Sequence, residues 1–284
     1  MHIVAVTSYA SGAVLDLAYG PWRGKEKGEH ALARQVLTSL KEGDVFLADR
    51  YYCSYFFIES LRTKGVDVVT RIHGSREYDF RTGKKSGIGD HVVELQKPPK
   101  PCWMDKDQYD LIPNTLTVRE VKVGGSGEED IIVVSTLIEP ERYSRSELAS
   151  VYKKRWHIEL DLRSIKSVMG MDFLSCKTPD MIEKEVWTYI LSYNLVRQLI
   201  CQAAIKHNIE PRTISFTGAL QTFNVYQAGF RINDAETNNR MHESMLDLIA
   251  SHRIGNRPGR KEPKAAKRRP KAYPKLTVPR SKWT

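Results

Sequence analysis

The sequence has no run approaching the roughly 18 uninterrupted apolar residues that a membrane-spanning helix requires. Its first residues, MHIVAVTSYASG, also lack the basic segment and long apolar segment of a secretory signal peptide. Hydrophobic residues make up 41% of the 284 residues, which is an ordinary globular content. The sequence therefore predicts a soluble protein that is long enough to bury a sizeable core.

Cysteine is scarce, and its placement argues against two kinds of site. Cys53, Cys102, Cys176 and Cys201 form no CxxC pair and have no histidine at ligand spacing. Neither a zinc site nor a disulfide framework is expected, and reduced intracellular thiols are predicted. The segments GGSG and GKKSG lack the spacing and the Lys-Ser/Thr ending of a phosphate loop, so no nucleotide cofactor is expected.

Acidic residues are almost missing from residues 252–284, which hold twelve Lys or Arg against the single acid Glu262. The whole chain has a net charge of +10, so residues 1–251 are close to neutral. This proline-rich tail has little apolar surface to bury, and we expect it to be extended or disordered by itself. Such a tail suits a polyphosphate partner, because neutralised phosphates release counterions. The alternative is a tail that only improves solubility.

The first 73 residues predict an α/β unit. HIVAVTSY and AVLDLAYGP are strand-like runs on either side of a turn at Gly12, which indicates a hairpin. Residues 29–40 and 54–64 have helical spacing, and each precedes a short apolar run, VFLA or VDVVTRI, typical of a buried strand. This order predicts a mixed sheet with helices packed on it.

The remaining chain divides into three further parts. Residues 74–140 predict a β-rich insertion, with strands TLTVREVKV and DIIVVSTLI around the turn GGSGEED. Residues 141–251 predict helices: one begins at the capping box of Ser144 and Glu147 and ends at Gly170, and the next is apolar almost all round and should be buried. A weaker helix over residues 234–251 precedes the tail, residues 252–284.

One helix carries a polar stripe. On a helical wheel that starts at position 152 and steps by 100° per residue, five polar or charged side chains fall within an arc of about 80°. Asp161 points to the opposite side of this helix. The stripe consists of Tyr152, Arg155, Glu159, Arg163 and Lys166. An adjacent apolar face consists of Val151, Ile158, Leu162, Ile165 and Met169.

The stripe suits a phosphodiester substrate. A carboxylate such as Glu159 can hold a divalent cation, Arg and Lys can grip phosphate oxygens, and Tyr adds a hydroxyl or a stacking face. The alternative is an ordinary solvated face in which Arg155 and Glu159 pair across one helical turn. The wheel by itself favours that alternative.

The spacing of Tyr152, Arg155, Glu159 and Lys166 resembles the Tyr-Arg-Glu-Lys signature of the insertion-sequence-four family of bacterial DDE transposases. The segment GDVFLADRYYCSYFFIESL resembles the surroundings of the second catalytic Asp of that family. Residues 11–18 resemble the preceding hairpin, and KRRPKAYPKLTVPR resembles the usual C-terminal ending. The resemblance covers nearly the whole chain.

This resemblance implies a ribonuclease-H-like mixed sheet with flanking helices, without the first strand of that sheet. It also implies a β-rich insertion and a helical C-terminal part. It implies that Asp49 and Glu159 are catalytic carboxylates and ligands of a two-Mg²⁺ site, and that Tyr152, Arg155, Arg163 and Lys166 bind DNA. Arg50 is either part of the site or a structural ion-pair partner. The expected partner is double-stranded DNA, both transposon ends and target, held by a homodimer in a synaptic complex. The expected location is the bacterial cytoplasm, at the nucleoid.

The sequence departs from the family at one point: the first catalytic Asp has no counterpart, and Asp16 lies on the wrong strand of the pattern. The chain therefore resembles an N-terminally truncated form with an incomplete metal site. Three hypotheses stay open: a transposase with impaired catalysis, a catalytically dead DNA-binding remnant that interferes with a full-length transposase, and another ribonuclease-H-like nuclease.

Overall fold

The computed structural model describes residues 2–21, 28–124, 130–231 and 234–255. Residues 1–253 fall within one compact unit. The predicted extended tail lies outside the described residues from position 256 onward, as does most of the predicted turn GGSGEED. The division into four sequence segments remains a prediction.

The described residues form eight strands and eight α-helices. The strands are β1 (His2–Thr7), β2 (Val14–Gly20), β3 (Val45–Leu47), β4 (Asp67–Arg71), β5 (Lys84–Gly87), β6 (Asp90–Gln96), β7 (Thr115–Val123) and β8 (Ile131–Ser135). The helices are α1 (Glu29–Val36), α2 (Tyr55–Arg62), α3 (Lys106–Leu111), α4 (Arg145–Lys153), α5 (Trp156–Arg163), α6 (Pro179–Lys206), α7 (Phe216–Tyr226) and α8 (Ala235–Ser251).

The predicted hairpin is present, and it forms a sheet of its own. β1 pairs with β2 in antiparallel register from His2↔Gly20 to Thr7↔Val14. Gly12, in the turn, has a positive φ of 78°, and a Cβ there would lie 2.7 Å from the guanidinium of Arg212. Only glycine therefore fits this turn without displacing its neighbours.

The main sheet has the strand order β3-β4-β8-β7-β6-β5. β3 and β4 are parallel, with α2 between them in sequence, and every other neighbouring pair is antiparallel. The strands of residues 74–140 extend this sheet, because β8 pairs directly with β4. The predicted fold class, a ribonuclease-H-like mixed sheet with flanking helices, is confirmed in its mixed α/β architecture.

The helix predicted from residue 144 to Gly170 is correct at both ends but wrong in its continuity. The Ser144–Glu147 capping box is formed, and Gly170 has a φ of 87°. Between α4 and α5, Arg155 N donates to Tyr152 O, which makes a tighter i→i−3 turn, and residues 164–168 form a wider π turn. α4 packs on the sheet whereas Ile165 packs among the C-terminal helices, so the helix adjusts its winding between two cores.

The long helix α6 is buried on one side only, which corrects the expectation of burial all round. Its buried side packs against α7 and α8, around Tyr193 and Ile200. Trp187, Leu191 and Leu195 form an exposed stripe on the other side, and Leu191 is 62% exposed. In the part of the chain that is described, no helix has both the length and the apolar character needed to cross a membrane.

A buried ion cluster joins α5 to the C-terminal helices and to the hairpin. Asp161 is fully buried, and its Oδ1 accepts hydrogen bonds from Arg197 and, at 2.7 Å, from Arg212. Arg212 Nε donates to Tyr9 O at 2.7 Å, and Arg197 Nε donates to Tyr193 Oη at 2.8 Å. The helical wheel correctly places Asp161 on the side of the helix opposite Glu159. On that side, Asp161 is buried between the guanidinium groups of Arg197 and Arg212.

Asp161→Asn should destabilise the protein strongly, because it leaves two buried arginines without their counter-charge. We expect a loss of about 3–5 kcal/mol in the free energy of unfolding, measured by urea denaturation with circular dichroism. Asp172→Asn, at an exposed position, is the matched control and should change that free energy by less than about 0.5 kcal/mol. Equal denaturation midpoints for the two variants would contradict a structural role for the cluster.

Candidate active site

Asp49 lies two residues after the end of β3, where the chain turns. Its side chain caps a short 3₁₀ turn at residues 50–52, with Oδ1 accepting from Arg50 N at 2.6 Å. Its carbonyl oxygen accepts from Thr70 Oγ1 at 2.9 Å, which ties the end of β3 to β4. Asp49 is exposed, so its carboxylate is available to a ligand in solution.

Helix α1 holds the turn that follows Asp49. The His30 ring stacks on Tyr51 with ring centroids 4.3 Å apart, and Tyr52 Oη donates to Glu29 Oε1 at 2.8 Å. Burial and this hydrogen bond raise the pKa of Tyr52, so its hydroxyl remains a donor at neutral pH. The position of Asp49 therefore depends on α1 as well as on the sheet.

Glu159 lies on α5 and is paired with Arg155. Arg155 Nη2 donates to Glu159 Oε1 at 3.0 Å, the pair that the solvated-face alternative predicts. The two side chains are 23% and 41% exposed for Arg155 and Glu159 respectively, so neither is fully solvated. The pair belongs to a partly enclosed surface.

That surface is a groove between the hairpin and β3, with a volume of about 580 Å³. Asp49, Arg155 and Glu159 all line it. Burial acts to lower the pKa of Arg155, but the hydrogen bond to Glu159 and the charges of Glu159 and Asp49 outweigh this effect, so the pKa is raised. The structure thus brings the two predicted carboxylates into one groove around a shared guanidinium group.

Tyr152 lies beside this group but is buried. Its residue is 8% exposed and packs with Val69 and Val133 of the sheet. Burial raises the pKa of Tyr152, and the charge of Asp49 raises it further, while Arg155 and Arg71 act in the opposite direction. The ring is packed into the sheet, so it presents no broad face for a base to stack on.

Arg163 and Lys166 are exposed, and they do not line the groove. The groove contains three basic side chains that the wheel did not select: Lys154, His157 and Arg212. Tyr9 contacts all three, with the Lys154 Nζ 5.0 Å from its ring centroid and the His157 ring centroid 5.6 Å away. Because Tyr9 is remote in sequence, helical spacing carries no signal for this group.

The carboxylate oxygens in the groove are ligands of the type that a divalent cation needs, but they are too few to hold one. Carboxylate oxygens such as those of Asp49 and Glu159 are hard ligands that Mg²⁺ prefers. Among the residues that the structure describes, no group of three or more His, Cys, Asp or Glu side chains is placed to share one metal ion. The two carboxylates could contribute to a metal site, and the rest of the ligands would have to come from elsewhere.

A mixed sheet with carboxylates at a strand end and on a following helix is the arrangement expected of a DDE enzyme. The family model described as Transposase DDE domain matches residues 1–195. The chain belongs to this family. Membership implies a general dependence on divalent metal ions.

The curated relatives are bacterial transposases. The chain is 27% identical over 255 residues to the transposase InsG for insertion sequence element IS4 of Escherichia coli K12, covering 88% of this chain and 56% of that protein. It is 24% identical over 109 residues to the transposase for insertion sequence element IS421 of Escherichia coli, covering 38% and 29%. The predicted resemblance to the insertion-sequence-four family is confirmed, and the chain spans about half the length of its IS4 relative.

One solved structure with some likeness is the cryo-EM structure of the piggyBac transposase synaptic complex with hairpin DNA. The two chains are 10% identical with a TM-score of 0.46, over 92% of this chain and 52% of the other.

The contact between α1 and the turn after Asp49 should make stability depend on pH. Burial, and then the positive charge of Arg34, lower the pKa of His30. The unfolded chain takes up a proton at His30 below about pH 6.5 while the folded chain resists it, so stability is full above pH 6.5 and is lost as the pH falls below it. His30→Phe keeps a stacking ring without a proton site. The urea midpoint should therefore fall less between pH 7.5 and pH 5.5 in this variant than in the wild type. An equal fall in both proteins would contradict the assignment to His30.

Proposed function

We propose that this chain is the DDE part of a DNA transposase, which cleaves and joins DNA strands by phosphodiester transesterification. The observation that carries the proposal is the convergence of Asp49 and Glu159 on one groove, in a chain whose residues 1–195 match the transposase DDE domain. The substrate would be double-stranded DNA, both transposon ends and target, engaged by a homodimer in a synaptic complex.

The two carboxylates, Asp49 and Glu159, would hold Mg²⁺ at the reacting phosphate. Such ions, when bound, supply activation of the attacking hydroxyl and stabilisation of the leaving oxygen. Arg155 fixes the orientation of Glu159 through their 3.0 Å hydrogen bond and can release one side of its guanidinium group to a phosphate oxygen. The Arg155 guanidinium lies 6.0 Å from the ring centroid of Tyr152, so the buried Tyr152 ring would support Arg155 from the sheet side.

Arg163 and Lys166 would hold DNA that leaves the groove. Both are exposed and lie farther along the same helical segment, the second in the π turn. Exposed cations on one side of a helix suit contacts with the phosphate backbone, which position DNA without reading its sequence. The basic tail, residues 252–284, would add to this attraction.

A second candidate function is a DNA-binding remnant without strand-transfer activity. It is favoured by the count of ligands, because two carboxylates make a weak cage for hard cations that need several oxygens. Such a remnant would still bind transposon ends and could form inactive mixed dimers with a full-length transposase.

The first test separates these two functions. The purified chain is incubated with Mg²⁺ or Mn²⁺ and a duplex copying the ends of the element that encodes it, and nicking is followed on denaturing gels. Asp49→Asn and Glu159→Gln should each lower the nicking rate roughly a hundredfold, since the bound ions contribute several kcal/mol to the transition state. Asp172→Asn, outside the groove, should nick at the rate of the wild type.

Salt-sensitive binding of the duplex without any nicking would favour the remnant instead. Nicking that survives in both Asp49→Asn and Glu159→Gln would exclude these two carboxylates as the catalytic pair.

The second test concerns the DNA-binding cations. Arg163→Ala and Lys166→Ala should each weaken binding at low salt and reduce the slope of log K against log salt by about one, because each variant loses one phosphate contact. Lys106→Ala, on α3, is a control with the same loss of charge away from the stripe. A slope that changes equally in all three variants would indicate only a general effect of net charge.

A further inference from the structure

The turn of the hairpin carries a tyrosine whose backbone is held in place. Gly12 N donates to Ser8 O at 2.8 Å, so the turn is closed by its own backbone. Arg212 donates to Tyr9 O at 2.7 Å and to Ser8 O at 3.3 Å, which ties the turn to the C-terminal helices. Tyr9, which is 42% exposed, therefore lines the groove from a fixed position.

The chain turns between α4 and α5 so that two basic side chains meet the Tyr9 ring. Lys154 caps the C-terminal end of α4, and His157 N donates to Lys154 O at 3.0 Å in an i→i−3 turn. Lys154 Nζ lies 5.0 Å from the centroid of the Tyr9 ring, which is the range of a cation–π interaction. The His157 ring meets Tyr9 edge-on, with centroids 5.6 Å apart. The Tyr9 ring thus holds the Lys154 ammonium group at one place in the groove.

The Lys154 ammonium group differs from the neighbouring cations in having no acidic partner. Arg155 is paired with Glu159, and Arg212 is paired with the buried Asp161. Within the described ranges Lys154 forms no ion pair and is exposed, and a contact with a ring face uses none of the three N–H donors of an ammonium group. These donors are therefore available to an anion in the groove.

A DNA backbone is the anion that suits this position. Asp49 and Glu159 line the same groove as Lys154. A DNA strand carries one negative charge at every nucleotide, so a strand whose reacting phosphate lies at the two carboxylates brings further phosphates with it. An ammonium group with unused donors can bind such a phosphate and fix the strand without reading its sequence.

We propose that Lys154 binds a backbone phosphate of the DNA strand that occupies the groove, and that Tyr9 is the positioning residue for Lys154. The inference rests on the proposed function, because it takes DNA as the occupant of the groove. Neither residue belongs to the Tyr-Arg-Glu-Lys signature.

DNA binding without metal tests the inference separately from catalysis. Binding of the transposon-end duplex to the full chain is measured by fluorescence anisotropy in EDTA, over a series of salt concentrations. Lys154→Ala should weaken binding about fivefold and reduce the slope of log K against log salt by about one, because one phosphate contact is lost. Lys153→Ala is the matched control, since it removes the same charge at an exposed neighbouring position that does not line the groove. This control should change binding by less than about twofold.

Replacement of single phosphates in the DNA locates the contact. A methylphosphonate linkage substitutes a neutral group for one charged phosphate. We expect one backbone position at which this change weakens binding to the wild type about fivefold but leaves binding to Lys154→Ala unchanged. Lys153→Ala should show the same sensitive position as the wild type. A residue with a merely structural role would not select one phosphate.

Two substitutions test the positioning role of Tyr9. Tyr9→Phe keeps the ring beneath the ammonium group and should bind DNA within about twofold of the wild type. Tyr9→Leu removes the aromatic ring and should weaken binding about as much as Lys154→Ala, whereas the double variant should bind no more weakly than Lys154→Ala alone. Equal circular dichroism spectra show that the variants are folded.

Four results would overturn the inference. Equal losses in Lys154→Ala and Lys153→Ala would indicate a general effect of net charge. Equal sensitivity of the wild type and Lys154→Ala to every methylphosphonate would exclude the phosphate contact, and additive losses in the double variant would exclude the role of Tyr9. Absence of DNA binding by the folded wild type would exclude both roles.

A final measurement separates DNA phosphate from free phosphate. Inorganic phosphate in place of chloride, at constant ionic strength, should affect DNA binding equally in the wild type and in Lys154→Ala. A loss confined to the wild type would assign the site to free phosphate and overturn the proposal. None of these measurements depends on nicking, so a chain that binds DNA in this way but never nicks it would contradict the proposed catalysis and leave this inference in place.

Discussion

The position of α5, and with it the whole groove, depends on one buried carboxylate. Asp161 and Glu159 are two residues apart, so they point to nearly opposite sides of the helix. Because Asp161 is held between Arg197 and Arg212 in the interior, Glu159 must face the hairpin and β3. Arg212 also donates to Tyr9 O, so the same cluster fixes one wall of the groove. A structural acid thus sets the direction of the candidate functional acid on the same helix.

Arg155 couples the two predicted carboxylates of the groove, and two different elements hold Asp49 in place. Arg155 is influenced by both Asp49 and Glu159, and a single guanidinium group can offset part of the repulsion between two carboxylates. The bond from Thr70 ties Asp49 to β4, while α1 supports the turn that follows it. The position of Asp49 therefore depends on both the main sheet and α1.

The local elements of this fold were predictable from the sequence, and their mutual placement was only partly so. Ser144, Glu147 and Gly170 carry strong helix-end signals, and both ends of that segment are confirmed. The tightened turn at Arg155 was not predictable, because it arises where the segment passes between two separate cores. The grouping of Tyr9 with Lys154, His157 and Arg212 likewise depends on contacts between residues distant in sequence. The family signature selected Glu159, whose role the helical wheel by itself could not decide, and the resemblance of the segment around Asp49 selected that residue; both catalytic roles stay predictions.

The pairing of β8 with β4 has a mechanical consequence. β4 is bonded to β3 on one edge and to β8 on the other, so it links the outer strands β5 to β7 to β3, which ends two residues before Asp49. The strands of a sheet are joined by rows of backbone hydrogen bonds. A force applied to the outer strands β5 and β6 must therefore pass through β4 before it reaches the Asp49 carboxylate. Strands β5 to β8 and the strand that leads to Asp49 thus belong to one sheet, so a displacement of the outer strands reaches the groove through β4.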